Sequence, residues 1–518
     1  MNATKPTERR VGLGTAIGYG VTDLFGGGSM ALIGIWLLFF YTTFCGLSML
    51  EASSIFAIAR IIDAVLSPIM GYITDKFGNT RLGKRFGRRR FFLLLGAPLM
   101  YLYTLVWISD MGYWYYLGTY LTVELLVAMV LVPWETLAAE MTNRFGERTR
   151  LAAIRLTCSQ LSVFLTASIP GIMMQYLGKD SPLTYTYTAL LFSTIFCVAV
   201  LITYFSTWES KDLNPEEFNK IHSGPKLSIS AHVKNMVSEL ASTFKIKIFR
   251  QHIIIYITSF TALDIFFAVF VYYVVYVLRE DTANASGYLT VATSISIPST
   301  LMFMFMLDKM NIKPSNAMRL SYSCIFVVLG LLFYLYLSGV VAYSWVIYAA
   351  FVVLGFGRAG LYFIPWNIYS FIPDVDEVVT RQRREGVFAG VMTLTRKSTV
   401  ALAIMLVGCI LEESGFVKGQ LIQPVSAIHA ISGLLIAGSG GLLLISMFMT
   451  FKFKLTRETH KVLVKEIARL KLGGKKEDCP PEARVVIKDL TGYEYERVWN
   501  TEREVSTNKV MKEGPESL

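Results

Sequence analysis

Ala59-Arg60-Ile61-Ile62-Asp63-Ala64-Val65-Leu66-Ser67-Pro68-Ile69-Met70-Gly71 places an arginine and an aspartate inside an apolar stretch long enough to cross a bilayer. Insertion scales put a charge at mid-membrane at roughly 2.5–3.5 kcal/mol, so such residues persist only when paired or when facing a wet cavity. Arg60 stands one helical turn from Asp63, at i, i+3, and is a ready partner on the same helix. The stretch therefore reads either as a buried ion pair or as an acid that handles an ion or a substrate. Charges in other apolar segments favour the second reading.

Composition points the same way. Of 518 residues, 53% are hydrophobic and 17% charged, and the mean hydropathy is +0.49. A soluble chain of this length is more polar, so a polytopic membrane protein is expected. The net charge of +11 resides mainly in Lys and Arg between apolar segments, a pattern of membrane orientation that gives no ground for a nucleic-acid partner. The six cysteines have no paired spacing, and the histidines form neither HxxxH nor HExxH, so no disulfide framework and no metal site is expected. No nucleophile–base pair, metal cluster or P-loop suggests an enzyme or a primary pump. Residues 1–11 are polar, and the first apolar segment carries Asp23 and many glycines, which suits a first membrane span better than a cleaved signal.

Twelve spans are predicted, at 14–42, 48–74, 91–109, 113–140, 152–176, 183–206, 250–278, 285–307, 315–338, 343–371, 386–411 and 424–451. Basic residues crowd alternate loops. Lys76, Arg81, Lys84, Arg85, Arg88, Arg89 and Arg90 follow the second span, Arg144, Arg148 and Arg150 the fourth, and Arg381, Arg383 and Arg384 the tenth. The positive-inside rule then puts both termini and the long middle loop in the cytoplasm. The chain divides into a bundle over 1–206, a middle loop over 207–249, a second bundle over 250–452 and a tail over 453–518. Val233, Met236, Val237, Leu240 and Phe244 suggest an amphipathic surface helix in the middle loop. The tail is expected to open with a helix at about 456–471 and then turn polar, with Cys479-Pro480-Pro481 breaking regular structure.

The halves echo each other. Asp75-Lys76 ends the second span and Asp308-Lys309 the eighth, 233 residues on, while Pro133-Trp134 and Pro365-Trp366 stand 232 apart. The first and seventh spans each hold an acid, Asp23 and Asp264. A repeat of an even number of helices keeps its orientation, so the halves should relate by an axis along the membrane normal.

Two six-helix repeats with Gly71-x-x-x-Asp75-Lys76 opening the basic loop resemble the major facilitator superfamily. Gly18-Tyr19-Gly20-Val21-Thr22-Asp23, Ala59-Arg60-Ile61-Ile62-Asp63, Pro68-Ile69-Met70-Gly71, Pro133-Trp134, Glu147-Arg148, Arg155, Pro373-Asp374-Val375-Asp376, Arg384-Glu385-Gly386 and Lys397 resemble its glycoside–pentoside–hexuronide:cation symporter family over about residues 12–452. The resemblance implies an all-α membrane fold and a cation:sugar symporter that works by alternating access. It implies that Asp23 bonds sugar hydroxyls, that Asp63 serves the coupling cation, that Arg155 lies near the sugar, that Thr393 is a polar cavity residue, and that Lys397 ties the second half to the charged cluster. Each of these charges also reads as an interhelical ion pair.

Three departures from the family pattern bear on mechanism. Ser67 stands where the family has a second acid, and losing a carboxylate removes charge and an oxygen ligand. A lone Asp63, with Arg60 and Ser67 beside it, then suits a proton better than sodium, and no other cofactor is expected. The family's fourth-span acid falls at Leu131 and its stacking aromatic at Glu135, so the acid can have moved one turn along one face. Trp134 is adjacent but points about 100° away, so its ring cannot simply replace the stacking aromatic. Arg358 and Arg396 are gained. Their planar forks would suit an anionic sugar such as a uronide, unless Arg358 merely pairs with Glu135 or Asp264. Sodium coupling, or transport of a lipid or lysolipid, remains the alternative. A monomer surrounded by membrane lipid is expected.

Overall fold

The computed structural model describes residues 10–142, 144–179, 181–209, 241–339, 343–382 and 384–499. Twelve helices are long and apolar enough to cross a membrane: α1 Leu13–Thr43, α2 Met49–Thr74, α3 Arg90–Trp107, α4 Tyr113–Met141, α5 Gly146–Leu177, α6 Pro182–Ser206, α7 Lys247–Val277, α8 Thr282–Asp308, α9 Pro314–Ser338, α10 Ser344–Thr380, α11 Glu385–Glu413 and α12 Val425–Lys452. Most of the amphipathic segment expected in the middle loop, up to residue 240, lies outside the described residues.

Local chemistry sets where these helices start and change their winding. Ser48 opens α2 with a capping box, its hydroxyl accepting from the Glu51 amide at 3.2 Å while the Glu51 carboxylate accepts from the Ser48 amide at 2.8 Å. Proline lies inside α2 at Pro68, α4 at Pro133, α5 at Pro170, α8 at Pro298 and α10 at Pro365, each removing one backbone donor from its helix. In α3 the last turns, Met100–Trp107, tighten into a 3₁₀ helix after Pro98. Wide turns at Ile33–Leu37 in α1 and Tyr273–Val277 in α7 occupy matching places in the two halves.

The halves meet along three helix pairs, α1 with α7, α2 with α11 and α5 with α8. Near one face of the membrane, Thr42 and Tyr272 share a hydrogen bond of 2.7 Å, and the Gly171 amide donates to Ser286 at 2.9 Å. Glu412 there accepts from the Leu50 amide at 3.2 Å, and Lys179 pairs with Asp281. The opposite face carries the basic loops, including a short helix at Arg81–Phe86, and is called the basic face below. Toward it, Glu135 and Thr136 of α4 and Thr393 of α11 are exposed.

Two further helices, α13 Arg457–Lys471 and α14 Pro481–Thr491, dock on the basic face of the second half. His460 meets Asp374 at 2.9 Å and Lys471 meets Glu377 at 2.5 Å. The Trp499 amide donates to the Val378 carbonyl at 3.1 Å. The tail thus holds a second helix where the sequence suggests only a polar run. Pro481 occupies a first-turn position, where its missing N–H costs nothing.

Candidate functional site

In the first half, glycines on α1 let α5 come close. A Cβ on Gly20 would meet Ile154 and the Arg155 backbone, and one on Gly27 or Gly28 would meet Ser159 or Ser162. This approach sets Arg155 of α5 beside Asp23 of α1. Its Nε donates to Asp23 Oδ2 at 3.3 Å, and its Nη2 to Glu135 Oε1 of α4 at 2.7 Å. One guanidinium therefore bridges three helices. Trp134 lies beneath it, 4.6 Å from ring centroid to guanidinium. The Trp134 ring is wholly buried, stacks on Tyr19 at 5.2 Å and donates its N–H to the Tyr19 carbonyl at 2.9 Å. It supports Arg155 from behind. Asp23 is 6% exposed, whereas the Glu135 side chain is 51% exposed, so this cluster presents a wet carboxylate.

At mid-membrane the halves are tied together. Lys397 Nζ of α11 reaches Asp63 Oδ2 of α2 at 2.8 Å and Ser67 Oγ at 2.9 Å. Ser67 also donates to Asp63 Oδ1 at 3.2 Å. The i, i+3 spacing makes Arg60 the expected partner of Asp63, but Lys397 holds that place. Arg60 turns to a fully buried acid of α4, its Nη1 lying 3.5 Å from Glu124 Oε1, and its Nη2 contacts Met30 Sδ at 2.9 Å. Side-chain spacing along one helix cannot foresee a cation delivered by another.

In the second half, Arg396 of α11 grips Asp264 of α7 with both nitrogens, its Nη2 to Oδ1 at 2.7 Å. Arg358 of α10 pairs with neither Glu135 nor Asp264, since both are engaged by other arginines. It is 4% exposed, bonds Ser296 Oγ at 3.2 Å, and lies over the Tyr362 and Phe267 rings at 5.0 and 5.6 Å. Thr393, one turn before Lys397, is exposed on the basic side. The structure thus brings Asp23, Glu135, Trp134 and Arg155 together, and separately Asp63, Ser67 and Lys397. Arg396 faces Asp264, and Arg358 stands apart.

Glu124 was legible as an acid within the apolar run Tyr120-Leu121-Thr122-Val123-Glu124-Leu125-Leu126-Val127. The sequence reading weighs the fourth-span acid only at positions 131 and 135, and so passes over it.

Residues 18–457 match the family described as MFS/sugar transport protein. The glucuronide carrier protein homolog of Escherichia coli (strain K12) is 25% identical, with 88% of this chain and 95% of the relative aligned. An uncharacterized symporter of Synechocystis sp. is 24% identical over 86% of this chain and 95% of its own length. Among solved structures, a D-xylose-proton symporter superposes with a TM-score of 0.57 at 13% identity, covering 86% of this chain and 96% of that one, a likeness of fold alone.

Proposed function

The chain belongs to the MFS/sugar transport protein family, and on that premise we propose that it takes up a neutral glycoside or pentoside together with a proton. It is a multi-pass membrane transporter of the cation-coupled sugar symporter kind, not an enzyme.

The observation that carries the substrate reading is the fork of Arg155 between Asp23 and Glu135. Two carboxylates around one guanidinium leave a surplus negative charge, and carboxylates accept hydrogen bonds from sugar hydroxyls two at a time. Arg396, which could have received an anionic sugar, already holds Asp264. A uronide is the second reading. It is favoured by Arg358, which has no carboxylate within ion-pair distance among the described residues, and by the glucuronide carrier relative. The polar fork argues against a lipid or lysolipid, which would need an apolar surface there.

Asp63 serves the proton in this reading. A proton on its carboxylate removes the charge that holds Lys397, so the tie between α2 and α11 loosens without a new ligand set. Sodium would instead have to displace the ammonium and gather further oxygens. The basic face lies in the cytoplasm of a bacterial inner membrane, so the conformation described is open inward, and the transporter works as a monomer. Sugar and proton stabilise each other's bound state by about 1–3 kcal/mol as the halves rock.

Uptake into vesicles of purified protein tests this, with a proton gradient imposed and sodium replaced by choline. Accumulation should persist, and a neutral glycoside should compete better than its uronide. Strict dependence on sodium overturns proton coupling, and preference for the uronide overturns the neutral substrate. Asp63→Asn should abolish accumulation yet leave downhill exchange, since an amide keeps the shape but cannot exchange a proton.

A further inference from the structure

Glu124 is the most costly group in the first half to leave unexplained. Its side chain has no exposure, and Arg60 at 3.5 Å is its ion-pair partner. Neither carboxylate oxygen makes a hydrogen bond of good geometry, and the Arg60 Nε is likewise without one. A buried carboxylate in this condition is expensive, and replacing such a pair with apolar residues commonly costs nothing. Four charged or titratable groups outside the pair bear on it. Tyr120 stands one turn away on α4, Asp63 lies on α2, Lys397 on α11, and Asp264 of α7 is within the field of Arg60. From α1 comes Met30, which carries no charge.

Position along the helices gives the pair a direction. Both α2 and α4 begin, at Met49 and Tyr113, on the face opposite the basic one. Contacts of Thr42 with Tyr272 and of Gly171 with Ser286 close the halves together there, and it is the sealed face. Arg60 precedes Asp63 on α2, and Glu124 precedes Glu135 on α4, so the pair lies between the central tie and the sealed face. Arg60 is therefore placed between two carboxylates, Glu124 and Asp63, while Lys397 occupies the latter.

We propose that Glu124 is the outer proton-loading acid of the symport cycle and that Arg60 changes partner from Glu124 to Asp63 when it loads. This rests on the proton-coupled reading above. With the sealed face open, Glu124 Oε takes a proton from water and becomes neutral. The Arg60 guanidinium, no longer held, moves to the Asp63 carboxylate, and Lys397 is released from it. Charge is conserved apart from the one proton gained. The α2–α11 tie then breaks as a consequence of loading from outside, which is the order symport requires. The proton next passes from Glu124 to Asp63 and Arg60 returns to Glu124, so that the one proton gained is the one Asp63 carries and Lys397 stays released.

The test uses the full-length protein in vesicles. Wild type is first shown to accumulate sugar on a proton gradient without sodium; failure at that step overturns the parent reading, and this inference with it. Glu124→Gln is then expected to lose accumulation, its ratio falling to unity, while sugar exchange persists and loses its dependence on pH. Glu124→Asp should restore part of both. Accumulation by Glu124→Gln at the wild-type level overturns this inference alone, as does a folded Glu124→Gln with no exchange. If the single variant does not fold, Arg60→Gln/Glu124→Gln removes both charges: exchange without accumulation supports the proposal, and accumulation overturns it. Wild-type protein offers an independent reading through dicyclohexylcarbodiimide, which modifies protonated carboxyls in apolar surroundings. Mass spectrometry should find Glu124 modified increasingly as pH falls, and its absence at every pH tested overturns the proposal.

Discussion

Arg155 works through the shape of its guanidinium, which meets Asp23 with one edge and Glu135 with another while lying over the Trp134 ring. Lysine is a point charge and cannot span both carboxylates. Arg155→Lys should therefore weaken sugar binding by about 1.5–3 kcal/mol, roughly ten- to a hundredfold in Kd, read by calorimetry on the purified protein. Unchanged affinity would place the sugar elsewhere. Arg396 and Asp264 make the contrasting case, a pair whose members neutralise each other. Either Asp264→Asn or Arg396→Gln alone should abolish transport by stranding a charge at a cost of about 3–5 kcal/mol. The double variant should regain transport that both singles lose, which a cycle of uptake measurements detects. At this scale the sequence is partly legible. Asp23, Asp63 and Arg155 announce themselves as charges in apolar spans. Their partners are not encoded by local spacing: the family resemblance alone points to Lys397 as a tie between the halves, and Glu124, which reaches Arg60 from a helix far away in the chain, is missed.

The elements were easier to read. Runs of apolar residues with prolines and basic loops mark all twelve spans, and the expected bounds differ from the structure mainly at the ends, where α2 carries its capping box and α10 runs on to Thr380. The tail was harder, because α14 buries Ala483, Ile487 and Leu490 against helices that sequence alone does not bring near. Its attachment makes a prediction. Burial alone would raise the Glu466 carboxyl, but bonds from Arg469 and Tyr495 outweigh it and hold the group below the usual carboxylate range. Arg469 grips it with both nitrogens, at 2.9 and 2.7 Å. A group with a lowered folded pKa stabilises fully above its ordinary value, about 4.3, and loses that contribution as pH falls through the lowered one. Hydrogen exchange over residues 457–491 should therefore quicken in acid below about pH 4. Glu466→Gln should exchange faster at neutral pH and lack the acid step; an identical acid step in the variant would refute this role for Glu466.

For the molecule as a whole, function depends on a seal that must be tight yet reversible, and small residues provide it. Gly408 of α11 lies so close to α2 that a Cβ would meet Ser53 and the Met49 carbonyl, while Ser53 itself reaches Met405 Sδ at 3.9 Å. Gly171 makes the matching approach on α5, where a Cβ would meet Ser286 of α8. Such contacts add packing only when this face is closed, so they weight the balance between the two conformations and hardly touch the stability of either bundle. A side chain at Gly408 would overpack the seal by about 1–3 kcal/mol, enough to move the population toward the opposite conformation by roughly ten- to a hundredfold. Gly408→Val should accordingly raise hydrogen exchange at the sealed ends of α2 and α11, residues 49–56 and 405–413, and slow it around Glu135 and Thr393 as the basic face closes. Transport should fall because one half of the cycle becomes disfavoured, while thermal unfolding of the bundles stays near wild type. Faster exchange at both faces together would mean general loosening, and would show that the glycine serves bundle packing and not the balance between states.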